Sequence, residues 1–275
     1  MKVKQLTVKA IMHMLQQGEL RDEVAEMLQK DSRVTVVRMM DKWQQERANM
    51  ITEKQRIQKL YAYEQEFYDD GYELLAGIDE AGRGSLAGPV VVGVVVLSQY
   101  CYLPLLNDSK QLTSARRDKL YSAIQEQALA VRHEVIDAAI VDKENIYQAT
   151  VGGMYAGLEK LPFRPEAVLI DAVPLPHLTM PSRAIIGGDT LSASIAAASI
   201  IAKVERDRIM EEYDKLYPQY GFTHHKGYGT KEHMVALKKW GPCPIHRRTF
   251  EPIKSMTAGE SFLLPFTDTA LFREG

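Results

Sequence analysis

Residues 90–97 read Val-Val-Val-Gly-Val-Val-Val-Leu, a β-branched run with no polar position. A half-exposed strand alternates apolar with polar residues, whereas a strand covered on both faces need not. The run therefore predicts a central sheet with layers on both sides. Residues 74–78, 131–136, 167–170 and 183–186 read as further short strands, and residues 113–129, 142–160 and 190–213 have the length and spacing of helices. Alternation of the two along the chain is the order of an α/β fold. The last of these helices is rich in Ala, Ile and Ser and places Ile195, Ala198, Ala202 and Ile209 on one face, small enough for close approach to a sheet. Beyond Pro218 turns predominate, with one more helix over 230–240.

Residues 1–70 have another character. They hold 12 Lys+Arg and 12 Asp+Glu, no Pro and one Gly, Gly18. Val8, Ile11, Met14 and Leu15 recur at helical spacing after a Thr7 cap, and Val24, Met27 and Leu28 begin a second helix. A third helix is predicted over 41–67, broken by Asp69, Asp70 and Gly71. The expectation is an N-terminal helical extension of residues 1–70 before a main domain of residues 71–275. Its pattern fits a packing appendage and a binding module alike.

The chain has 275 residues, a formal charge of −2 and 45% hydrophobic residues, enough to bury a sizeable core. Its longest apolar stretches, 88–97 and 195–202, fall short of the roughly 18–20 residues of a membrane span. The N-terminus has no uninterrupted apolar run of the kind a secretory signal needs. With two cysteines, Cys101 and Cys243, neither a disulfide framework nor a four-cysteine zinc site is expected. A reducing cytoplasm is the expected location.

Chemistry concentrates in Gly77-Ile78-Asp79-Glu80-Ala81-Gly82-Arg83-Gly84-Ser85, between two predicted strands. Adjacent carboxylates repel unless a cation neutralises them, so Asp79 and Glu80 at a strand end form a plausible divalent-metal pair. Gly82 and Gly84 clear space around Arg83, whose planar donor fork suits phosphate or hydroxyl groups. A solvated acidic turn with a flexible loop explains the same letters. Asp171 closes the strand at 167–170, and Asp189 follows the strand at 183–186, where it could equally cap the next helix. Strand ends of an α/β sheet converge on one edge, so Asp79, Glu80, Asp171 and Asp189 could share one site. Four such oxygen ligands select Mg²⁺ or Mn²⁺, and two ions about 3.5–4 Å apart serve phosphoryl transfer or hydrolysis.

Residues 224–248 hold six basic side chains against one acidic, with four of the seven histidines, beside Tyr228, Trp240 and Phe250. Such a patch suits a nucleic-acid backbone with aromatic contacts, and also a merely solvated basic helix. His224, His225, Cys243 and His246 match no trusted zinc spacing. Asn107-Asp108-Ser109-Lys110 precedes a helix, where Ser109 and Lys110 could hold a phosphate or Asp108 and Thr113 could only cap.

Over about residues 72–254 the chain resembles the ribonuclease HII family, the bacterial type 2 ribonucleases H. The resemblance runs from Gly77 to Gly84 with Gly88-Pro89-Val90, then Asp108-Ser109-Lys110, Leu169-Ile170-Asp171, Asp189 leading into Ser194 to Val204, and Arg206-Asp207. It ends with His225 to Thr230 and His246 to Phe250. It implies a ribonuclease H-like fold, a mixed five-stranded sheet flanked by helices, with residues 71–275 as the catalytic domain including C-terminal substrate-binding helices. It implies a monomeric, metal-dependent endonuclease that cuts RNA in RNA·DNA hybrids and 5′ to ribonucleotides in duplex DNA, leaving 3′-hydroxyl and 5′-phosphate ends. Roles in ribonucleotide removal from DNA and in RNA-primer removal follow. The family's metal-binding carboxylates are matched by Asp79, Glu80, Asp171 and Asp189, with Mn²⁺ or Mg²⁺ as cofactor. Gly82, Arg83 and Gly84 would sense the 2′-hydroxyl, Tyr228 would stack on the sugar, and Ser109 and Lys110 would touch phosphates. Where many relatives have Lys, this chain has Gly187.

Two other readings compete. Gly82-Arg83-Gly84-Ser85-Leu86-Ala87 fits a dinucleotide fingerprint, which should open a helix, yet Pro89 and the Val-rich run point to a strand. A non-catalytic hybrid-binding protein would tolerate loss of carboxylates, and all four are present.

Overall fold

The computed structural model describes residues 6–258; the outer ends of both expected domains lie outside them. The chain divides into two compact units that meet between Lys59 and Leu60.

In the first unit α1 (Val8–Gln16), α2 (Asp22–Leu28) and α3 (Val34–Leu60) enclose a small core of Ile11, Leu20, Ala25, Leu28, Val36 and Met40. Thr7 caps α1 by accepting from the Ala10 amide at 3.1 Å. The third helix starts at Val34 rather than residue 41. Val34, Val36 and Val37 are poor helix formers, but burial of Val36 and Met40 outweighs a propensity cost of a few tenths of a kcal/mol each. It also ends at Leu60, and Tyr61 leaves helical geometry before a separate α4 (Ala62–Asp69).

The second unit is built on five strands, β1 (Leu75–Ala81), β2 (Val90–Val96), β3 (Ala130–Ile136), β4 (Ala167–Asp171) and β5 (Ser182–Ile185). Their order is β3-β2-β1-β4-β5, with β1 antiparallel to β2 and parallel to β4. This is the mixed five-stranded sheet expected. Every residue of β2 is buried, as its lack of polar positions requires. Each such Val is worth about 1.5–3 kcal/mol on burial. The helices are α5 (Ser114–Gln127), α6 (Ala138–Glu144), α7 (Ile146–Glu159) and α8 (Ala193–Leu216), then the short α9 (Phe222–His225), α10 (Lys231–Trp240) and α11 (Ile253–Met256). Helix α7 packs on β2 and β3, with Gly153 and Gly157 against Val92 and Val94, while α8 lies across β1 and β2. That second contact is close: a Cβ on Gly93 would lie 2.3 Å from the Ala198 carbonyl oxygen.

The helix expected over 142–160 is two. Asn145 adopts φ 69°, and its side chain accepts from the amides of Tyr147 and Gln148, capping α7. Asn tolerates positive φ better than most residues, so the break carries its own cap. After Gly82 the chain enters β2 and not a helix, which removes the dinucleotide reading. No helix among the described residues is long and apolar enough to cross a membrane.

Candidate active site

The sheet brings two aspartates together by register. Parallel β1 and β4 pair Ile78 with Ile170, so Asp79 and Asp171 emerge side by side at one edge. Strand β1 runs on to Ala81, which makes Asp79 and Glu80 strand residues on opposite faces. Asp79 shares its face with Gly77, toward α8, and hydrogen-bonds Ser199. Asp189 arrives on a 3-10 turn, Gly188–Thr190, whose Gly188 amide donates to Asp171 Oδ1 at 2.8 Å. It is not the cap of α8; Ser192 is, accepting from the Ile195 amide. Gly187 opens the turn at φ 68°.

The electrostatics are unfavourable by construction. Asp79 is 3% exposed. Burial, then the neighbouring Glu80 and Asp171, raise its carboxyl well above the usual range. Burial also raises Glu80, partly offset by Arg83 Nη1 at 3.1 Å from Oε1. The other oxygen, Glu80 Oε2, is buried with no hydrogen-bond partner. Asp189 is raised by burial and by Asp108, against which Lys110 Nζ stands 3.3 Å from Oδ2. Buried hard oxygens in mutual repulsion, one unpaired, fit divalent cations. Among the described residues no three His, Cys, Asp or Glu side chains yet converge as a formed cage.

Ser109 is buried, and its hydroxyl lies 2.8 Å from that of Ser199, the partner of Asp79. It thus faces the carboxylates through Ser199, whereas Lys110 is exposed. Tyr228 presents an exposed ring near the Arg206 guanidinium, 5.5 Å from its centroid. The loop between β1 and β2 is sealed by the C-terminal segments: the Leu86 amide donates to the Gly227 carbonyl, and Arg247 and Ile245 pair with Leu86 and Gly88. Gly82 at φ 92° is indispensable, since a Cβ there would lie 2.0 Å from Arg206 Nε.

The basic patch read from sequence is thinner than its letters. Arg247 is fully buried, Lys226 pairs with Glu211 at 2.7 Å and Arg248 is half-buried, leaving Lys231, Lys238 and Lys239 exposed on α10. Three of the four histidines are internal. Cys243 N–H donates to His246 Nδ1 at 2.9 Å, so His246 Nε2 carries the proton and donates 3.0 Å to His233 Nε2, and His233 Nδ1 donates 2.9 Å to the Tyr228 carbonyl. His225 stacks on His233 with ring centroids 4.4 Å apart. Burial lowers His233 and His246 to about 4, keeping both neutral.

Sequence reasoning passed over Glu64, and it took Ser199 and Arg206 only as parts of matched motifs and Arg247 as part of a basic patch, with no role of their own. Arg206 had a signal: it lies four residues after Ala202, on the apolar stripe of α8, where a charge is out of place. Burial lowers Arg247 to about 9 and also lowers Arg206; both are cations at neutral pH. Glu64, on α4, is buried and accepts from Ser192 Oγ and from Ser194 N and Oγ at the start of α8.

Comparison with known proteins agrees with this geometry. A family model described as ribonuclease HII matches residues 76–253, and one described as ribonuclease HII N-terminal domain matches residues 7–68. A ribonuclease HII of Enterococcus faecalis is 48% identical over 235 residues, covering 86% of this chain and 92% of the relative. One of Bacillus cytotoxicus is 44% identical over 251 residues, covering 91% and 96%. The crystal structure of ribonuclease H2 from Pyrococcus horikoshii superposes with a TM-score of 0.59 at 26% identity, covering 67% of this chain and 97% of that one.

Proposed function

The chain belongs to the ribonuclease HII family of type 2 ribonuclease H endonucleases, and from that premise we propose that it cuts 5′ to ribonucleotides embedded in duplex DNA and within the RNA strand of RNA·DNA hybrids. The cut leaves 3′-hydroxyl and 5′-phosphate ends and depends on Mg²⁺ or Mn²⁺. The protein works as a monomer in the cytoplasm, in ribonucleotide and RNA-primer removal. The observation that carries this reading is the adjacency of the buried Asp79 carboxylate and the unpaired Glu80 Oε2 to a loop whose donors are free to face a substrate.

Asp79, Glu80, Asp171 and Asp189 would hold the cations. When bound, these supply the Lewis acidity that activates water and neutralises charge on the phosphodiester. Ser199, backed by Ser109, orients Asp79, and Arg83 turns one Glu80 oxygen while leaving the other available.

Recognition falls to the loop. The carbonyls of Gly82 and Arg83 accept from Arg247 at 2.7 and 2.8 Å and so point inward. In a trans peptide the N–H opposes the C=O, which turns the amides of Arg83 and Gly84 the other way. Gly84 has φ outside the left-handed region, and a Cβ there would meet nothing within 4 Å. The fold has no need of glycine at that position; a sugar edge approaching the backbone does. The 2′-hydroxyl, the group that separates RNA from DNA, is the natural acceptor of these amides. Tyr228 offers its ring to the sugar, and Lys110 offers charge to phosphate.

The test is an end-labelled DNA duplex with one ribonucleotide, incubated with Mg²⁺ or Mn²⁺ beside an all-DNA duplex. A single cut 5′ to the ribonucleotide, absent from the all-DNA control and without metal, is expected. Folded protein that binds the duplex and cuts with neither metal would instead be a hybrid-binding protein.

A further inference from the structure

Two fully buried arginines stand behind the loop, and neither forms an ion pair with a carboxylate among the described residues. Their charge is met by neutral oxygens. Arg206 donates from Nε to the Pro89 carbonyl at 3.0 Å, from Nη1 to Lys226 O at 2.9 Å, and from Nη2 to Ser85 Oγ at 2.8 Å and Ala87 O at 3.1 Å. Arg247 donates from Nε to Gly88 O at 3.1 Å, from Nη1 to Arg83 O, and from Nη2 to Gly82 O and to Gly88 O at 2.9 Å. Ser85 Oγ in turn donates to Gly82 O at 2.9 Å, so the two guanidinium groups converge on one peptide.

Burying a cation without a counter-ion is costly, and an apolar side chain fills space more cheaply. What the guanidinium adds is a rigid planar fork that fixes several acceptors at set angles. Here the acceptors belong to two separate stretches of chain. Arg206 ties residues 85–89 to Lys226, two residues before Tyr228, and its own plane stands near the Tyr228 ring.

We propose that Arg206 and Arg247 are positioning residues for ribonucleotide recognition, locking the Gly82-Arg83-Gly84 backbone and Tyr228 into one rigid reader. The inference rests on the recognition roles proposed above for that loop and for Tyr228. Neither arginine touches substrate; each acts through backbone it holds. Hydroxyl reading and sugar stacking then form a single unit, and loss of the clamp matters only while both halves are present.

The experiment is a double-mutant cycle in the full-length protein, with kcat and KM on the single-ribonucleotide duplex and a thermal melt for each variant. Arg206→Lys keeps the charge and loses the fork. Alone it is expected to lower kcat about 10-fold or more, but on a Tyr228→Ala background by less than about 3-fold, because residues acting as a unit are non-additive. Arg247→Lys with Gly84→Ala should behave alike. A role confined to stability would instead give losses that multiply and that follow the melting temperature. Multiplying losses, or full activity in Arg206→Lys, would overturn the proposal. If Tyr228→Ala and Gly84→Ala are themselves fully active, the reader assignment falls, and the positioning role with it. Should Arg206→Lys fail to fold, Ser85→Ala removes only the link through Gly82 and enters the same cycle, with the same two outcomes.

Discussion

The carboxylate edge and the arginine clamp adjoin each other in the chain and treat buried charge in opposite ways. At the edge, Asp79 and Glu80 are buried in mutual repulsion, and Glu80 Oε2 has no partner. In the clamp, Arg206 and Arg247 are as deeply buried, yet each makes four hydrogen bonds to oxygens of the same chain. Groups left unsatisfied are those available to an outside partner, whereas saturated ones hold the frame. The clamp satisfies carbonyls, and thereby releases amides on the other side of the same peptides.

The largest effect should come from the unsatisfied side. Asp79→Asn removes a charged oxygen at nearly constant volume, and cleavage should fall by roughly 10²–10³-fold or more with duplex binding retained. Its stability should move the other way. A carboxyl raised in the folded state contributes stability below its unfolded pKa and loses it as pH rises through the folded value, so at neutral pH the buried Asp79 carboxyl costs stability. The variant should melt above the wild type, by about 2–4 °C for each kcal/mol of relieved repulsion; a lower melting temperature would break the contrast.

The two loop glycines divide along the same line. Gly82→Ala collides with Arg206 at a positive φ and should fail to fold or melt far below the wild type. Gly84→Ala should melt within about 2 °C of the wild type while cleavage at a single ribonucleotide drops about 10-fold or more, since only the substrate needs that space.

Most of the fold was legible in the sequence, and for a physical reason. A strand such as 90–97 declares its burial in its own letters, and an apolar strand ending in Asp171 declares its edge. The partners of buried charge did not show, because Arg206 and Arg247 bond to backbone carbonyls, which every residue has. In the same way, His225, His233 and His246 counted toward a basic surface patch although all three are internal and His233 and His246 are kept neutral by burial. The division between units was hidden too: α4 carries charged letters like the helices before it, and its place in the second unit shows only in contacts such as Glu64 with Ser192 and Ser194 and the packing of Tyr63, Phe67 and Tyr68 on the sheet.

That division makes a smaller prediction. A chain of residues 60–275 keeps Glu64 and the Tyr61 hydroxyl bond to the Cys101 carbonyl, and should unfold cooperatively. Removing residues 60–70 as well strips the buried start of α8 of its acceptor and should lower the melting temperature by roughly 5–10 °C.

The smallest effect concerns pH. His233 and His246 titrate at about 4 when folded, below the ordinary 6.5. The unfolded chain therefore binds more protons between those values, and their contribution is complete above pH ~6.5 and lost as pH falls toward about 4. Melting curves of His246→Gln should show a shallower decline across that window than the wild type; identical slopes would remove the histidine chain as its cause.

Cation binding itself tests the contrast most directly, apart from any turnover. Isothermal titration of Mn²⁺ into the wild type and Asp79→Asn, without nucleic acid, should show ion binding to the first that is lost or strongly weakened in the second, with Arg206→Lys like the wild type. Equal binding by wild type and Asp79→Asn would contradict the claim that the unsatisfied carboxylates are the chain's cation ligands.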